Sequence, residues 1–456
     1  MNRRLLWLAA VAPLCLAACH ATPPTPDRQQ GANPALPEAE QYLLPPMKIT
    51  TPVGWKNGET PTVPSGFTIT AFATDLHGPR NILPLSNGDV LAVEAGGPSG
   101  APVTRPKDII YGLVIGKAHS PVKPGNRVVL LRDVDGDGRA DQRTILIDKL
   151  NSPFGIALVG NALYIAETDK IMRYAFTPGQ TSIAGPGTVV TLLPAGEINH
   201  HWTKSLTASP DGSKLYVGIG SNSNITERGM GAELDRARIW EVDPTTGAHR
   251  PYATGLRNPN GLTFEPATQK LWAVVNERDE IGQNLVPDYM TSVQPGAFYG
   301  WPWSYYGNHI DIRVMPRQPD MVAKAISPDF ALGPHVAALG LAFNSGSAFP
   351  ARYAGGAFIG EHGSWDRDVL NGYQVAFVPF ASGKPAGKIE PFVTGFLDKG
   401  NTRGRPVSVA FDRSGALLIA DDVGNAVWRV TSNAQPTRAV GAAPLASLAM
   451  PSPRPR

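Results

Sequence analysis

A short pattern recurs six times along the chain, and it limits the possible folds more than any other feature. In each copy a turn signal precedes a run of β-formers that ends in a small or acidic residue. Asn87-Gly88 precedes Val90–Glu94, Gly160-Asn161 precedes Leu163–Glu167, and Asp211-Gly212 precedes Leu215–Gly220. Ala267-Thr268 precedes Leu271–Val275, Gly355-Gly356 precedes Ala357–Gly360, and Ser414-Gly415 precedes Leu417–Asp421. Turn residues of this kind between apolar runs signal hairpins. A further apolar run lies before most copies, as in Gly261–Phe264 and Val407–Phe411. Runs that are apolar throughout, rather than alternating, predict strands buried on both faces. The copies lie roughly 50 to 90 residues apart, whereas a four-stranded propeller blade needs about 40–50, so the surplus falls in loops. With 48 glycines and 44 prolines in 456 residues, the composition favours turns over long helices. The expectation is an all-β fold, a six-bladed β-propeller over residues 63–431, in preference to a pair of β-sandwiches. Such a fold would bring loops distant in sequence to one axial pocket.

The segments outside the repeat carry other signals. Asn2-Arg3-Arg4 is followed by an apolar run from Leu5 to Ala18 that is too short to span a bilayer. A basic start, a short apolar stretch and small residues before Cys19 predict a secretion signal over 1–18 of the bacterial lipoprotein type, with lipid on Cys19. His20 after the cysteine leans toward an outer membrane, so the expected location is the periplasmic face of the cell envelope, held by the lipid. Cys15 would leave with the signal, so no disulfide framework or thiolate metal site is expected. Residues 19–62 read as a Pro-rich flexible tether, and 432–456 as a loose tail. A net charge of +3 gives no argument for nucleic acid as a partner.

The densest chemical signal is Gly255-Leu256-Arg257-Asn258-Pro259-Asn260-Gly261-Leu262-Thr263-Phe264, followed by Asn276–Glu280 and then Tyr299-Gly300-Trp301-Pro302-Trp303. In this order the segments resemble the quinoprotein sugar dehydrogenases: soluble glucose, aldose-sugar and L-sorbosone dehydrogenases that use pyrroloquinoline quinone (PQQ). The resemblance runs from about Pro64 to Val430, is closest to the sorbosone branch, and implies the same six-bladed propeller. It also implies PQQ and calcium as cofactors, a sugar or related alcohol as substrate, and an external electron acceptor such as a quinone or cytochrome. His201, five residues before Leu206, matches the family's general base. Neutral imidazole suits that task near pH 7. Arg257 would stabilise charge on the reducing quinone, and Asn258 could donate to it. Arg403 and Arg405 match the family's closing PQQ-binding arginines. As i and i+2 of an extended segment they are expected to point the same way and hold one anion together. Asp421 matches an acidic residue near the cofactor, and His335 and His362 are expected pocket residues. The family's calcium touches backbone carbonyls that fall here at Arg278 and Asp279, where glucose dehydrogenases carry Gly-Pro. Ser221 stands where those enzymes have an aspartate able to orient the histidine.

A separate loop, Asp133-Val134-Asp135-Gly136-Asp137-Gly138-Arg139-Ala140-Asp141, places carboxylates at positions 1, 3, 5 and 9 and glycine at 6 of a calcium loop. Position 12 is Thr144, so weaker, structural binding is expected, in an insertion between the first two blades. No Gly-x-Ser-x-Gly motif, His-rich zinc spacing or dinucleotide fingerprint is present. Two other functions fit a propeller with an axial pocket: a non-enzymatic ligand-binding protein and a calcium-dependent lactone hydrolase.

Overall fold

The six apolar runs become the second strands of six four-stranded antiparallel sheets. The computed structural model describes residues 26–42, 46–98, 102–103, 120–183, 185–346 and 348–433, with isolated positions between 108 and 116. Cys19, the segment 1–18 and residues 434–456 lie outside the described residues. Blade 1 runs Pro79–Pro84, Val90–Glu94, Arg127–Arg132 and Gln142–Ile147, and blade 2 runs Gly155–Val159, Ala162–Ala166, Lys170–Ala175 and Thr188–Leu192. Blade 3 comprises Leu206–Ala208, Leu215–Ile219, Arg238–Val242 and His249–Thr254, and blade 4 comprises Asn258–Phe264, Leu271–Asn276, Pro287–Ser292 and Phe330–Pro334. Blade 5 takes Ala338–Phe343, Ala357–Glu361, Gln374–Val378 and Glu390–Val393. Blade 6 takes Pro406–Phe411, Leu417–Asp421 and Ala426–Ser432, and its outer strand is Phe67–Ala73 from the other end of the chain. That pairing closes the ring.

The continuous apolar runs have a direct cause. Successive side chains of a strand point to opposite faces, and each blade's two faces meet different neighbours. Leu417 and Ile419 enter the core between blades 5 and 6, whereas Leu418 and Ala420 enter the core between blades 6 and 1. Val90 and Ala92 face blade 6, and Leu91 and Val93 face blade 2. One apolar cluster fills each of the six blade junctions. At about 1.5–3 kcal/mol per buried Val, Leu or Ile side chain, these junctions supply the main favourable term. The inner strands approach closely at the axis: a Cβ on Gly340 would lie 2.2 Å from the Val407 carbonyl oxygen, so only glycine fits there.

The segment expected to be a free tether bonds to the blades at several of its described positions. Gly31 bridges to Ala331, and Gln30 Nε2 donates to the Leu332 carbonyl on blade 4. The backbone then bonds Ile281 and Arg367 through Glu40 and Lys48. Thr51 and Val53 pair with Thr402, and Thr62 pairs with Thr394. Trp55 donates to Asp421 and packs edge-on to Phe396 and Trp428. Low-complexity composition suggested looseness, but backbone groups and one tryptophan find partners along the blade edges. Among the described residues no helix is long and apolar enough to cross a membrane.

Candidate active site

In an antiparallel blade the first strand starts at the same end at which the second strand finishes. Residues at these two places, repeated six times, surround one mouth. A cavity of about 1720 Å³ opens there. His201 precedes the first strand of blade 3, Arg257 and Asn258 begin that of blade 4, His335 precedes that of blade 5, and Arg405 precedes that of blade 6. His362 follows the second strand of blade 5, and Asp279 that of blade 4. All of these line the cavity.

His201 is fixed by its own blade. Its Nδ1 lies 2.7 Å from the Ser221 carbonyl oxygen and 3.1 Å from Ser221 Oγ. Facing a carbonyl, Nδ1 must carry the proton, so Nε2 holds the lone pair. Burial, reinforced by His200 and Arg257, pushes the imidazole well below 6.5, so it is neutral at pH 7. The rest of the repeat explains Ser221. The other blades carry an acid at or just after the end of the second strand: Glu94, Glu167, Glu277, Glu361 and Asp421. Glu94 binds Arg127 and the His77 amide, and Glu167 binds Lys170 and the Asn151 amide. These acids clasp the blade end. Blade 3 replaces the acid with Ser221 and uses the same position to orient His201. The Ser221 amide also donates to the Arg257 carbonyl.

Two buried cations hold the loop that carries His201. Arg236 donates to the Gly220, Pro194 and His201 carbonyls and to Asn199 Oδ1, at 2.8–3.1 Å. Lys204 Nζ reaches the Trp202 carbonyl at 3.1 Å, and burial pushes its ammonium well below 10.5.

Arg257 donates to the Glu277 carbonyl, Asn224 Oδ1 and Asp279 Oδ2. Burial alone would raise Asp279, but Arg257 and His335 outweigh it and hold the carboxyl at about 2. His335 places Nδ1 3.2 Å from Asp279 Oδ1 and Nε2 3.1 Å from the Gly282 carbonyl. Burial opposes its protonation, yet the Asp279 hydrogen bond and charge prevail and raise it. His362 Nε2 meets Asp422 at 3.0 Å, and Arg80 Nη1 binds the same carboxylate at 2.6 Å.

Several sequence expectations need correction. Arg403 does not line the cavity; it turns to Asp398 and Glu59 and lies over Trp55. The expected i, i+2 alternation requires extended backbone. Here the amides of Arg403 and Gly404 both bond the Phe396 carbonyl, which bends the chain between the two arginines. Arg405 alone faces the cavity, beside Thr50 and over Tyr373. Asp421 is fully buried beneath Trp55, Trp428 and the Arg405 and Gly424 amides, and burial raises it to about 6. Its neighbour Asp422 takes the cavity position, because adjacent residues point to opposite sides. The Arg278 side chain is sealed against Glu277, Asp311 and the Pro302 and Ser304 carbonyls, while the calcium expectation concerns its backbone carbonyl. The Asp279 carbonyl, an expected calcium ligand, already accepts from Asn224 and Arg313. The Asp279, His335 and Asp366 side chains do converge within 4.8 Å, although a metal there would compete with the proton on His335. In the second acidic loop Asp133, Asp135 and Asp141 converge, while Asp137 caps the Arg139 amide instead. That loop joins the third and fourth strands of blade 1, not two blades.

Sequence reasoning missed Arg80, Asp422, Arg236 and the cavity-facing Lys48–Thr50. One signal was available for Arg80: the Arg80-Asn81 pair begins blade 1 as Arg257-Asn258 begins blade 4.

The arrangement suits a flat polyanion beside a proton acceptor. Among the described residues the buried Nε atoms of Arg80, Arg257 and Arg405, and Asn258 Oδ1, have no hydrogen-bond partner. Three unsatisfied guanidinium donors around one cavity fit a ligand that carries several carboxylates. The family model for TrAA12-like proteins matches residues 124–296 and 318–433. The chain belongs to the TrAA12-like family. Similar solved structures include the holo form of the pyranose dehydrogenase PQQ domain from Coprinopsis cinerea, at 18% identity and a TM-score of 0.67, covering 84% of this chain and 100% of that one. The calcium structure of the family AA12 enzyme from Trichoderma reesei has 18% identity and a TM-score of 0.66, covering 85% of this chain and 99% of the other. At such identities the likeness establishes the fold. The aldose sugar dehydrogenase YliI of Escherichia coli is 26% identical over 199 residues, 40% of this chain and 50% of that protein.

Proposed function

We propose that this TrAA12-like protein is a PQQ-dependent dehydrogenase of sugars or closely related alcohols. The observation that carries the reading is the convergence of three unsatisfied guanidinium Nε groups and a neutral imidazole on one cavity. The names of its relatives, a PQQ domain of pyranose dehydrogenase and an aldose sugar dehydrogenase, support the substrate and cofactor class. Arg80, Arg257 and Arg405 would hold the cofactor's charged groups, with Asn258 and His362 beside them. When bound, PQQ supplies the acceptor for a hydride, two electrons and one proton. His201 Nε2 would take the substrate's hydroxyl proton as hydride leaves the same carbon, turning C–OH into C=O. The Ser221 carbonyl keeps the imidazole in the tautomer this requires. Arg257, fixed by Asp279, stabilises negative charge on oxygen. Electrons would then pass to an external acceptor. Calcium would be held by the Asp279 and Asp366 carboxylates, with His335 giving up its proton to ligate it. L-sorbosone remains a candidate substrate within the same class. Export with lipid on Cys19 would hold the enzyme at the envelope, beside membrane acceptors.

The test is titration of apo-protein with PQQ and calcium, followed by dye reduction with a panel of aldoses. Uptake of PQQ with sugar-dependent reduction is expected. His201→Ala should abolish turnover and leave PQQ uptake intact. Absence of PQQ uptake would favour a binding protein, and lactone turnover without PQQ would favour a hydrolase.

A further inference from the structure

A second hollow of about 500 Å³ opens beside the main cavity, over blade 3. Gly196 and Glu197 line both spaces, so a single loop separates them. Its chemistry is distinct. At its base lies Asn222, only 5% exposed. The Asn222 amide nitrogen of the backbone donates to Glu233, and its side-chain Nδ2 donates to the Ala232 carbonyl, each at 2.8 Å. The Nδ2 bond fixes the side chain's orientation and leaves Oδ1 as a buried acceptor with no hydrogen-bond partner among the described residues. A native acceptor in that state is uncommon, and it calls for a hydroxyl or N–H donor from a ligand. The walls combine apolar groups, Pro194, Ile198 and the 75% exposed Leu234, with the charged Asp235 and Arg236, and the exposed Glu197 carboxylate stands on the dividing loop.

Apolar surface on the walls, one fixed buried acceptor and the Glu197 and Asp235 carboxylates match a pyranose ring, which presents hydroxyl donors on its edge and C–H groups on its face. We infer that this hollow is a subsite for the second ring of an oligosaccharide whose terminal ring occupies the main cavity. The inference rests on the sugar-dehydrogenase reading and narrows the substrate class to chains of two or more sugars. Glu197, shared by both spaces, lies where the linkage between the rings would pass.

The test fills the hollow without touching the catalytic residues. Gly231 lines it, a Cβ there meets nothing within 4 Å, and its backbone is outside the left-handed region. Gly231→Trp is therefore expected to fold and to occlude the subsite. Cellobiose and maltose are compared with glucose in two measurements, PQQ-dependent dye reduction and NMR titration of the cofactor-free protein. The wild type is expected to favour the better disaccharide by about tenfold in kcat/KM, through KM, the effect of one well-placed hydrogen bond. Gly231→Trp should erase that preference and leave glucose unchanged. Equal treatment of mono- and disaccharide by the wild type, or a preference that survives the tryptophan, overturns the subsite. Failure of PQQ uptake overturns the dehydrogenase reading instead. The titration then still decides the subsite: it stands if a disaccharide binds the wild type and not Gly231→Trp, and falls if neither disaccharide binds.

Discussion

Arg403 and Arg405 stand two residues apart but are expected to respond to truncation in opposite ways. Arg405 faces the cavity with an unsatisfied, buried Nε, and its Nη2 is held by Thr50 Oγ1 at 3.1 Å. A charge-assisted hydrogen bond contributes about 1.5–3 kcal/mol, so Arg405→Ala should weaken PQQ binding by roughly 10- to 150-fold, at 1.4 kcal/mol per tenfold. Arg403 is 28% exposed and pairs with Asp398 and Glu59 at the rim. Surface pairs of this kind contribute about 0–1 kcal/mol, and the residue lies outside the cavity wall. Arg403→Ala should therefore shift PQQ affinity by less than about threefold. The assay is titration of each apo-variant with PQQ in the presence of calcium, followed by intrinsic tryptophan fluorescence, with thermal unfolding as the control for folding. Equal weakening by both substitutions, or a larger effect at Arg403, would refute the assignment of Arg405 as the inward cation and restore the paired clamp that the sequence suggested.

Arg236→Lys keeps the charge but cannot span four acceptors, so the His201 loop loosens. A fall of about 100-fold in kcat is expected for so small a misplacement, with PQQ affinity unchanged; a parallel loss of affinity would contradict a positioning role. Burial pushes the Glu361 carboxyl from 4.5 up to about 8, so the folded state keeps a proton that the unfolded chain releases. Stability should fall as pH rises from about 4.5 to 8. Glu361→Gln removes that dependence, giving a higher melting temperature than wild type at pH 8 and no gain at pH 4. Trp55→Ala removes the contact that pins the N-terminal segment to blade 6. It should cost about 3 kcal/mol, the low end for tryptophan truncation, seen in denaturant unfolding; an unchanged midpoint would mean the segment contributes no packing.

The blades were legible because their chemistry is local. An apolar strand after a turn pair states its own structure, and burial on both faces suppresses alternation, so Leu417–Asp421 and Val90–Glu94 read as equivalents. The positions at the mouth were legible where they sit at fixed distances from those strands: His201 before blade 3, Arg257 and Asn258 at the head of blade 4, His335 before blade 5. What failed was the direction of side chains at strand ends. Asp421 and Asp422 differ by one residue, and only packing beneath Trp55 and Trp428 decides which is sealed in and which faces the cavity. Arg403 failed for the same reason, because a bend at Gly404 cancels an alternation that holds only in extended chain. The N-terminal segment was misread because composition reports the absence of a core of its own, not the presence of a partner surface.

By itself, then, the amino-acid order determined the repeat, the number of blades and the rows from which a site could be drawn, since hairpin signals and apolar runs act over neighbouring residues. The tertiary structure decided which members of those rows meet. Arg80, His201, Arg257 and Arg405 come from four blades, and their approach depends on ring closure between Phe67–Ala73 and Ala426–Ser432. No short-range rule encodes that closure, because it is set by the packing of six sheets around one axis.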